Sequence, residues 1–268
     1  MDAEAAWRAR YGPTALVTGA SEGIGEAFAR ALGARGLDLI LVARRRDRLE
    51  TIAQEIREQS GVGVRVHPDD LSEPAGVDTL VRSIDQDQIG LLVSAAGFGA
   101  AGPFLKANPA TELAMLDVNC RATLGLTLAL APAMAARGRG GLVLLSSLVA
   151  FQGSRHIANY AATKAYVQTL AEGLHSEFSE AGVDVLSVAP GPVATGFAKR
   201  ADLRYGAEDR PEAVARQSLA ALGRARTVRP GRLSKVLGWS LSTLPRRART
   251  KVMSRIMGAM TKHQHASR

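Results

Sequence analysis

Tyr160 and Lys164 stand four residues apart in Tyr-Ala-Ala-Thr-Lys, and Ser147 lies thirteen residues upstream. On a helix, positions i and i+4 share a face, so this spacing puts a phenol beside an ammonium. The ammonium favours phenolate and lowers the tyrosine pKa from its usual value of about 10. A phenol tuned in this way can give or take a proton in carbonyl or alcohol chemistry. Tyr-x-x-x-Lys also occurs by chance on many helices, so the pair takes its meaning from what surrounds it.

Alternating elements must position these groups. Thr14–Thr18 reads as a short buried strand that runs into a glycine loop. Helical apolar spacing covers 23–35, with Gly36 as a stop. Further strands are predicted at 37–43, 62–67, 89–93, 141–145 and Val183–Val188, with a polar helix at 46–59 and a long helix at 109–137. This alternation predicts an α/β fold, a Rossmann-type doubly wound parallel sheet with helices on both faces. Ligands of such sheets bind at the carboxyl ends of the strands. The glycine loop, Asp70, residues 94–97, Ser147 and Pro190-Gly191 each directly follow a predicted strand.

The loop itself is Thr18-Gly19-Ala20-Ser21-Glu22-Gly23-Ile24-Gly25. Gly19 suits a tight turn, Gly23 a close approach to a pyrophosphate, and Gly25 close helix–strand packing. The helix that follows aims its free N–H groups at the phosphates. Gly19, Ser21, Gly23, Ile24 and Gly25 are therefore candidate cofactor contacts. An NAD binder usually offers an acidic residue at the end of the second strand for the ribose 2′-OH. This chain has Ala43-Arg44-Arg45-Arg46 there. Three cations at a helix N-terminus oppose its dipole. A solvated basic patch is one reading; a 2′-phosphate held by Arg44 and Arg45, with Ser21 assisting, is the favoured one. NADP(H) is thus expected over NAD(H). Glu22 fits a phosphate there only if its carboxylate turns away.

The combination resembles the short-chain dehydrogenase/reductase family, in its compact single-domain branch, over residues 12–230. The resemblance rests on the glycine loop, Asp70-Leu71, Ala96-Gly97, Asn119, Ser147, Tyr160 with Lys164, and Pro190-Gly191-Pro192-Val193-Ala194-Thr195, in that order. It implies that Tyr160 is the general acid/base and that Lys164 lowers its pKa and binds the nicotinamide ribose. It implies that Ser147 polarises the substrate oxygen, while Asn119 keeps a water that relays protons from Lys164. Asp70, with Leu71 beside it, would contact the adenine, and Ala96 and Gly97 the cofactor. Pro190, Gly191, Val193 and Thr195 would cover the nicotinamide. The family usually has Asn-Asn-Ala-Gly where this chain has Ser94-Ala95-Ala96-Gly97, which puts local rigidity in question, with Ser94 as a partial substitute. Ser146 is expected to be structural or a cofactor contact. Tyr11-Gly12-Pro13, Gly97-Phe98-Gly99 and Leu244-Pro245 further resemble the branch of hydroxysteroid dehydrogenases and long-chain 3-oxoacyl reductases.

Composition bounds the rest. An apolar share of 46% is enough for a substantial core, so disorder is not expected. A single cysteine, Cys120, excludes an intramolecular disulfide and a cysteine metal cluster. No His/Cys/Asp group has metal-ligand spacing, so no metal is expected. The first residues carry Asp2 and Glu4 and no apolar leader, and the apolar stretch at 122–136 is short for a bilayer and holds Pro132. A cytoplasmic protein is expected. His156 reads as a loop residue lining the substrate mouth; of Phe98, Phe104, Leu105, Phe151 and Phe197 some are expected in the core, and as a group they suggest an apolar pocket.

The net charge of +9 is unevenly placed: thirteen Lys and Arg and no acidic residue follow Glu212. A catalytic domain over 1–230 with a basic helical extension at 231–268 is the expected organisation. In that extension Leu233, Val236, Leu237, Leu241 and Leu244 form one apolar stripe. Val252, Met253, Ile256, Met257 and Met260 form another, facing Arg249, Lys251 and Arg255. Helices packed on the body with a solvated basic face fit this pattern, and so does a peripheral anchor on anionic lipid. Nucleic acid fits less well, since Trp239 is the sole aromatic there and no known module is present.

The expected function is an NADP(H)-dependent oxidoreductase interconverting a ketone and a secondary alcohol on an apolar or lipid-like substrate. The alternatives are a non-enzymatic NADP(H) sensor that signals through its tail, and a reductase held at a membrane. A homodimer or homotetramer is expected from the family, through the 109–137 helix and the helix of Tyr160.

Overall fold

The computed structural model describes residues 2–204 and 206–265. Strands that are apolar throughout must be covered on both faces. Six strands, Thr14–Thr18 (β1), Asp38–Val42 (β2), Val64–His67 (β3), Ile89–Ser94 (β4), Gly140–Leu145 (β5) and Val183–Val188 (β6), pair in parallel, and all but the Val-Arg-Val-His of β3 are mainly apolar and buried. A seventh, Thr227–Val228 (β7), extends the sheet beside β6. It is two residues long, too short to show any alternation in the sequence. The order is β3-β2-β1-β4-β5-β6-β7.

Among the described residues, eleven α-helices accompany the sheet. They are Ala3–Tyr11 (α1), Gly23–Gly33 (α2), Arg46–Ser60 (α3), Pro74–Ser83 (α4), Pro109–Leu116 (α5), Thr123–Ala136 (α6), Ala158–Phe178 (α7), Phe197–Arg200 (α8), Pro211–Ala221 (α9), Arg232–Ser242 (α10) and Arg246–Met260 (α11). Successive strand side chains point to opposite faces, which makes two cores. Val17, Leu39, Leu41 and Val143 meet Phe28 of α2, Ile52 and Ile56 of α3, and Val214 and Leu219 of α9. Leu16, Ile40, Leu92 and Leu142 meet Leu80 of α4, Leu126, Leu130 and Met134 of α6, and Val167 of α7. The doubly wound arrangement is the one the alternation predicts.

The predicted 109–137 helix is a single run of three pieces, because Asp117–Ala122 between α5 and α6 is a π-helix. The apolar stretch taken as 122–136 is therefore part of a longer helix. Pro109–Ala136 spans 28 residues and holds an 18-residue window with a mean hydropathy of 1.3, long and apolar enough by those measures to cross a membrane. Here its inner face packs on the sheet.

The register aligns the carboxyl ends of the strands. Thr18 of β1 pairs with Val42 and Ser94, Val42 pairs with His67, and Leu145 pairs with Val188. The residues that follow these ends therefore share one edge of the sheet. The strand order reverses between β1 and β4, which opens a crevice there.

Candidate active site

α7 carries Tyr160 and Lys164 one turn apart, and Ser147 caps the short 3-10 helix Leu148–Phe151 that follows β5. Lys164 is buried, with its Nζ 5.9 Å from the centre of the Tyr160 ring and donating to the Leu145 carbonyl at 2.8 Å. Burial pushes the Tyr160 phenol up to about 12, and a hydrogen bond with Ser147 pulls the other way. Burial also pushes Lys164 down to about 8, with Cys120 opposing. The spacing argument expects the ammonium to lower the phenol pKa; in this structure loss of solvent dominates and raises it, with Ser147 as the group that opposes.

Asn119 lies on the π-helix and lines neither cleft; it ties the β4 loop to α7. Its Nδ2 donates to the Phe98 carbonyl (3.0 Å) and to Thr163 Oγ1 (2.9 Å), and its Oδ1 accepts from the Phe98 amide (3.1 Å). A Cβ on Gly97 would stand 2.8 Å from Asn119 Oδ1 and 3.3 Å from Lys164 Nζ, so Gly97 sits between the two and a side chain there would have to displace them. Ser94 takes over part of the missing asparagine role: its hydroxyl donates to Thr123 Oγ1 (2.9 Å), which donates to the Asn119 carbonyl (3.0 Å). Ser146 is structural, donating to the Lys164 carbonyl at 3.0 Å.

Two clefts meet at this centre. The first, about 650 Å³, is lined by Gly19, Ser21, Gly23, Ile24, Gly25, Arg44, Arg45, Asp70, Leu71, Ala96 and Gly97. Gly23 has a φ of +60°, and a Cβ there would stand 2.8 Å from Thr195 Cγ2, so the loop is shaped for backbone to approach a ligand. Open space above the N-terminus of α2, with an acidic and a basic group at its far end, fits an extended nucleotide cofactor.

At that far end Arg45 donates to Ser21 Oγ (3.1 Å) and pairs with Glu22 (2.9 Å). Arg200 of α8 also pairs with Glu22. Glu22 is thus neutralised from two sides rather than turned away. Arg44 stands 3.7 Å from Asp70, with most of its side chain in solvent. Burial raises the Asp70 pKa, but hydrogen bonds from the Ser72 amide and hydroxyl, aided by Arg44, leave it below the usual carboxylate range. Arg200 was not legible in the sequence. It lines this cleft but lies outside every motif.

The second cleft, about 320 Å³, is lined by Ser147, Tyr160, Lys164, Pro190, Gly191, Val193 and Thr195. Its outer wall is apolar and comes from Leu203 and from the tail: Leu237, Met253, Ile256, Met257 and Met260. The second tail stripe therefore packs on the body. The first stripe divides, with Leu237 and Leu241 inward and Val236 and Leu244 outward; the Leu233 side chain lies outside the described residues. Ile24, Ala95, Gly97, Thr195 and Phe197 line both clefts.

Of the phenylalanines expected in the apolar wall, Phe197 is there, 5.2 Å from Tyr160 between ring centres. Phe98 lines the first cleft, Phe151 lies under Arg229, and Phe104 and Leu105 face solvent. His156 does not line the mouth. It shares a 2.7 Å hydrogen bond with Thr261, holding the tail. Among the described residues, no group of three or more His, Cys, Asp or Glu side chains is placed to hold a metal ion.

Residues 13–205 match the short chain dehydrogenase family. The chain is 34% identical over 233 residues to the 7beta-hydroxysteroid dehydrogenase of Clostridium sardiniense, covering 85% of this chain and 89% of the relative. It is 30% identical over 249 residues to the very-long-chain 3-oxoacyl-CoA reductase of Anas platyrhynchos, covering 90% and 80%. Among solved structures, a short-chain dehydrogenase from Sphingobium yanoikuyae in complex with NADPH superposes with a TM-score of 0.77 at 30% identity, covering 86% of this chain and 94% of that one. The chain belongs to the short-chain dehydrogenase/reductase family. It is an oxidoreductase of the CH–OH/C=O couple that uses a nicotinamide cofactor.

Proposed function

We propose that this protein is an NADP(H)-dependent reductase or dehydrogenase that interconverts a ketone and a secondary alcohol on a large apolar substrate. The observation that carries the reading is the continuity of the two clefts. A glycine-lined groove ending in Arg44 and Arg45 meets, at Gly97, Thr195 and Phe197, an apolar cavity lined by Ser147, Tyr160 and Lys164. When bound, the nicotinamide supplies or accepts a hydride at carbon. Everything else falls to side chains of this chain. Tyr160 holds the exchanging proton on its phenol oxygen. Ser147 donates to the substrate oxygen as negative charge develops there. Lys164 and Asn119 keep the proton path and the Gly97 turn in place. Residues 190–195 would hold the nicotinamide, and Asp70 and Leu71 the adenine.

Arg44 and Arg45 support NADP(H) because their present ion pairs are at the surface. Such pairs contribute about 0–1 kcal/mol each, so they yield readily to a phosphate. The apolar wall supports a steroid-like or long acyl ketone, in keeping with the names of the two relatives. On this reading 1–230 is the catalytic domain and 231–268 is an extension that completes the substrate cavity. A homodimer or homotetramer would cover the exposed Leu113, Leu116 and Leu128 of the long helix and Tyr166 of α7.

Tyr160→Phe tests the mechanism. It should abolish NADPH oxidation with any ketone while NADPH still binds, as read by fluorescence titration. Undiminished turnover would remove Tyr160 from its role.

A further inference from the structure

α10 has two faces of opposite character. Inward, Ser234 is fully buried and its Oγ accepts from the Gly191 amide at 2.7 Å. Leu237 lines the apolar cavity, and Leu241 is buried beneath it. Outward, Val236 is 63% and Trp239 72% exposed, with Leu244 at 37% just past the end of the helix. Lys235, Arg246 and Arg247 are exposed around them. No acidic side chain follows Glu212 to offset these cations.

Large apolar groups in water, with exposed cations beside them, complement a surface that is apolar inside and anionic at its rim. Tryptophan, with an apolar ring and a polar N–H, sits well at a membrane–water boundary. Lys and Arg are drawn to anionic headgroups. We propose that the outer face of α10, with the corner between α10 and α11, docks on an anionic lipid surface. Its inner face is a wall of the substrate cavity, and a helix with its side chains is about 10–12 Å across. Docking would therefore bring that wall within one helix thickness of the lipid, so that an apolar substrate could reach the cavity with little exposure to water.

The test is co-sedimentation of the full chain with vesicles of phosphatidylcholine alone or mixed with phosphatidylserine. The wild type should sediment with the mixed vesicles and stay in solution with the neutral ones. Val236→Ser with Trp239→Ser should release it. Lys235→Gln, Arg246→Gln and Arg247→Gln together should weaken partition on the order of a hundredfold, from three surface cations. Both variants should still melt cooperatively and bind NADPH, which separates release from loss of the fold. A wild type that stays in solution with mixed vesicles overturns the proposal, and so does unchanged partition in either variant. Self-association without vesicles, lost with Val236→Ser and Trp239→Ser, would assign the face to a second copy and also overturn it. Binding is read without turnover, so the outcome is independent of the redox assignment.

Discussion

Lys164→Met should inactivate the enzyme and make it more stable. Lys164 is 6% exposed, and its ammonium donates to a neutral carbonyl, that of Leu145. Burial lowers its pKa from 10.5 to about 8. At about 1.4 kcal/mol per pH step, this corresponds to about 3 kcal/mol held against the charged folded state. Methionine is unbranched like lysine and carries no charge, so the substitution removes that penalty. It also leaves the Leu145 carbonyl without its donor, which costs about 1–2 kcal/mol. The net gain is about 1–2 kcal/mol, a rise of roughly 3–6 °C in melting temperature for a chain of this size. The pH dependence has a definite sign. Between about 8 and 10.5 the unfolded lysine holds a proton that the folded one has lost, so wild-type stability rises with pH through that window. The advantage of the variant should be greatest below about 8, fall to zero within the window, and reverse towards 10.5, where only the lost hydrogen bond remains. Thermal melts without cofactor, across that range, measure it. A lower melting point for the variant near neutral pH, or a gap that does not narrow as pH rises, refutes the claim that the site holds a strained, buried charge.

Two further outcomes probe the ends of the site. Arg44→Asp removes a cation from the cleft and sets a carboxylate against Asp70. It should shift the ratio of kcat/KM for NADPH over NADH by about ten- to a hundredfold towards NADH; an unchanged ratio in initial-rate assays removes the arginine reading. Met257→Ala opens the buried tail wall and should lower stability by about 2–4 kcal/mol. It should also raise KM for a bulky ketone more than for a small one, whereas equal effects on both would place Met257 outside the specificity of the cavity.

What the sequence determines here is local. Apolar runs such as Leu39 to Val42 demand cover on both faces, which dictates the layered sheet. Gly19, Gly23 and Gly25 lie within one turn of chain, and Tyr160 and Lys164 within one turn of helix, so spacing alone identifies them. Tertiary structure decided whatever depends on partners far along the chain. Glu22 is disarmed by Arg200, 178 residues away, and no periodicity reports such a pair. An apolar stripe shows that one face is buried but not against what, so Met253 and Met257 were visible as a stripe and not as a cavity wall. The same limit sent Phe104 and Leu105 to solvent and tied His156 to Thr261. The pKa values divide in the same way. Spacing puts the ammonium beside the phenol, but the loss of solvent around both, which only the packed fold produces, raises one and lowers the other.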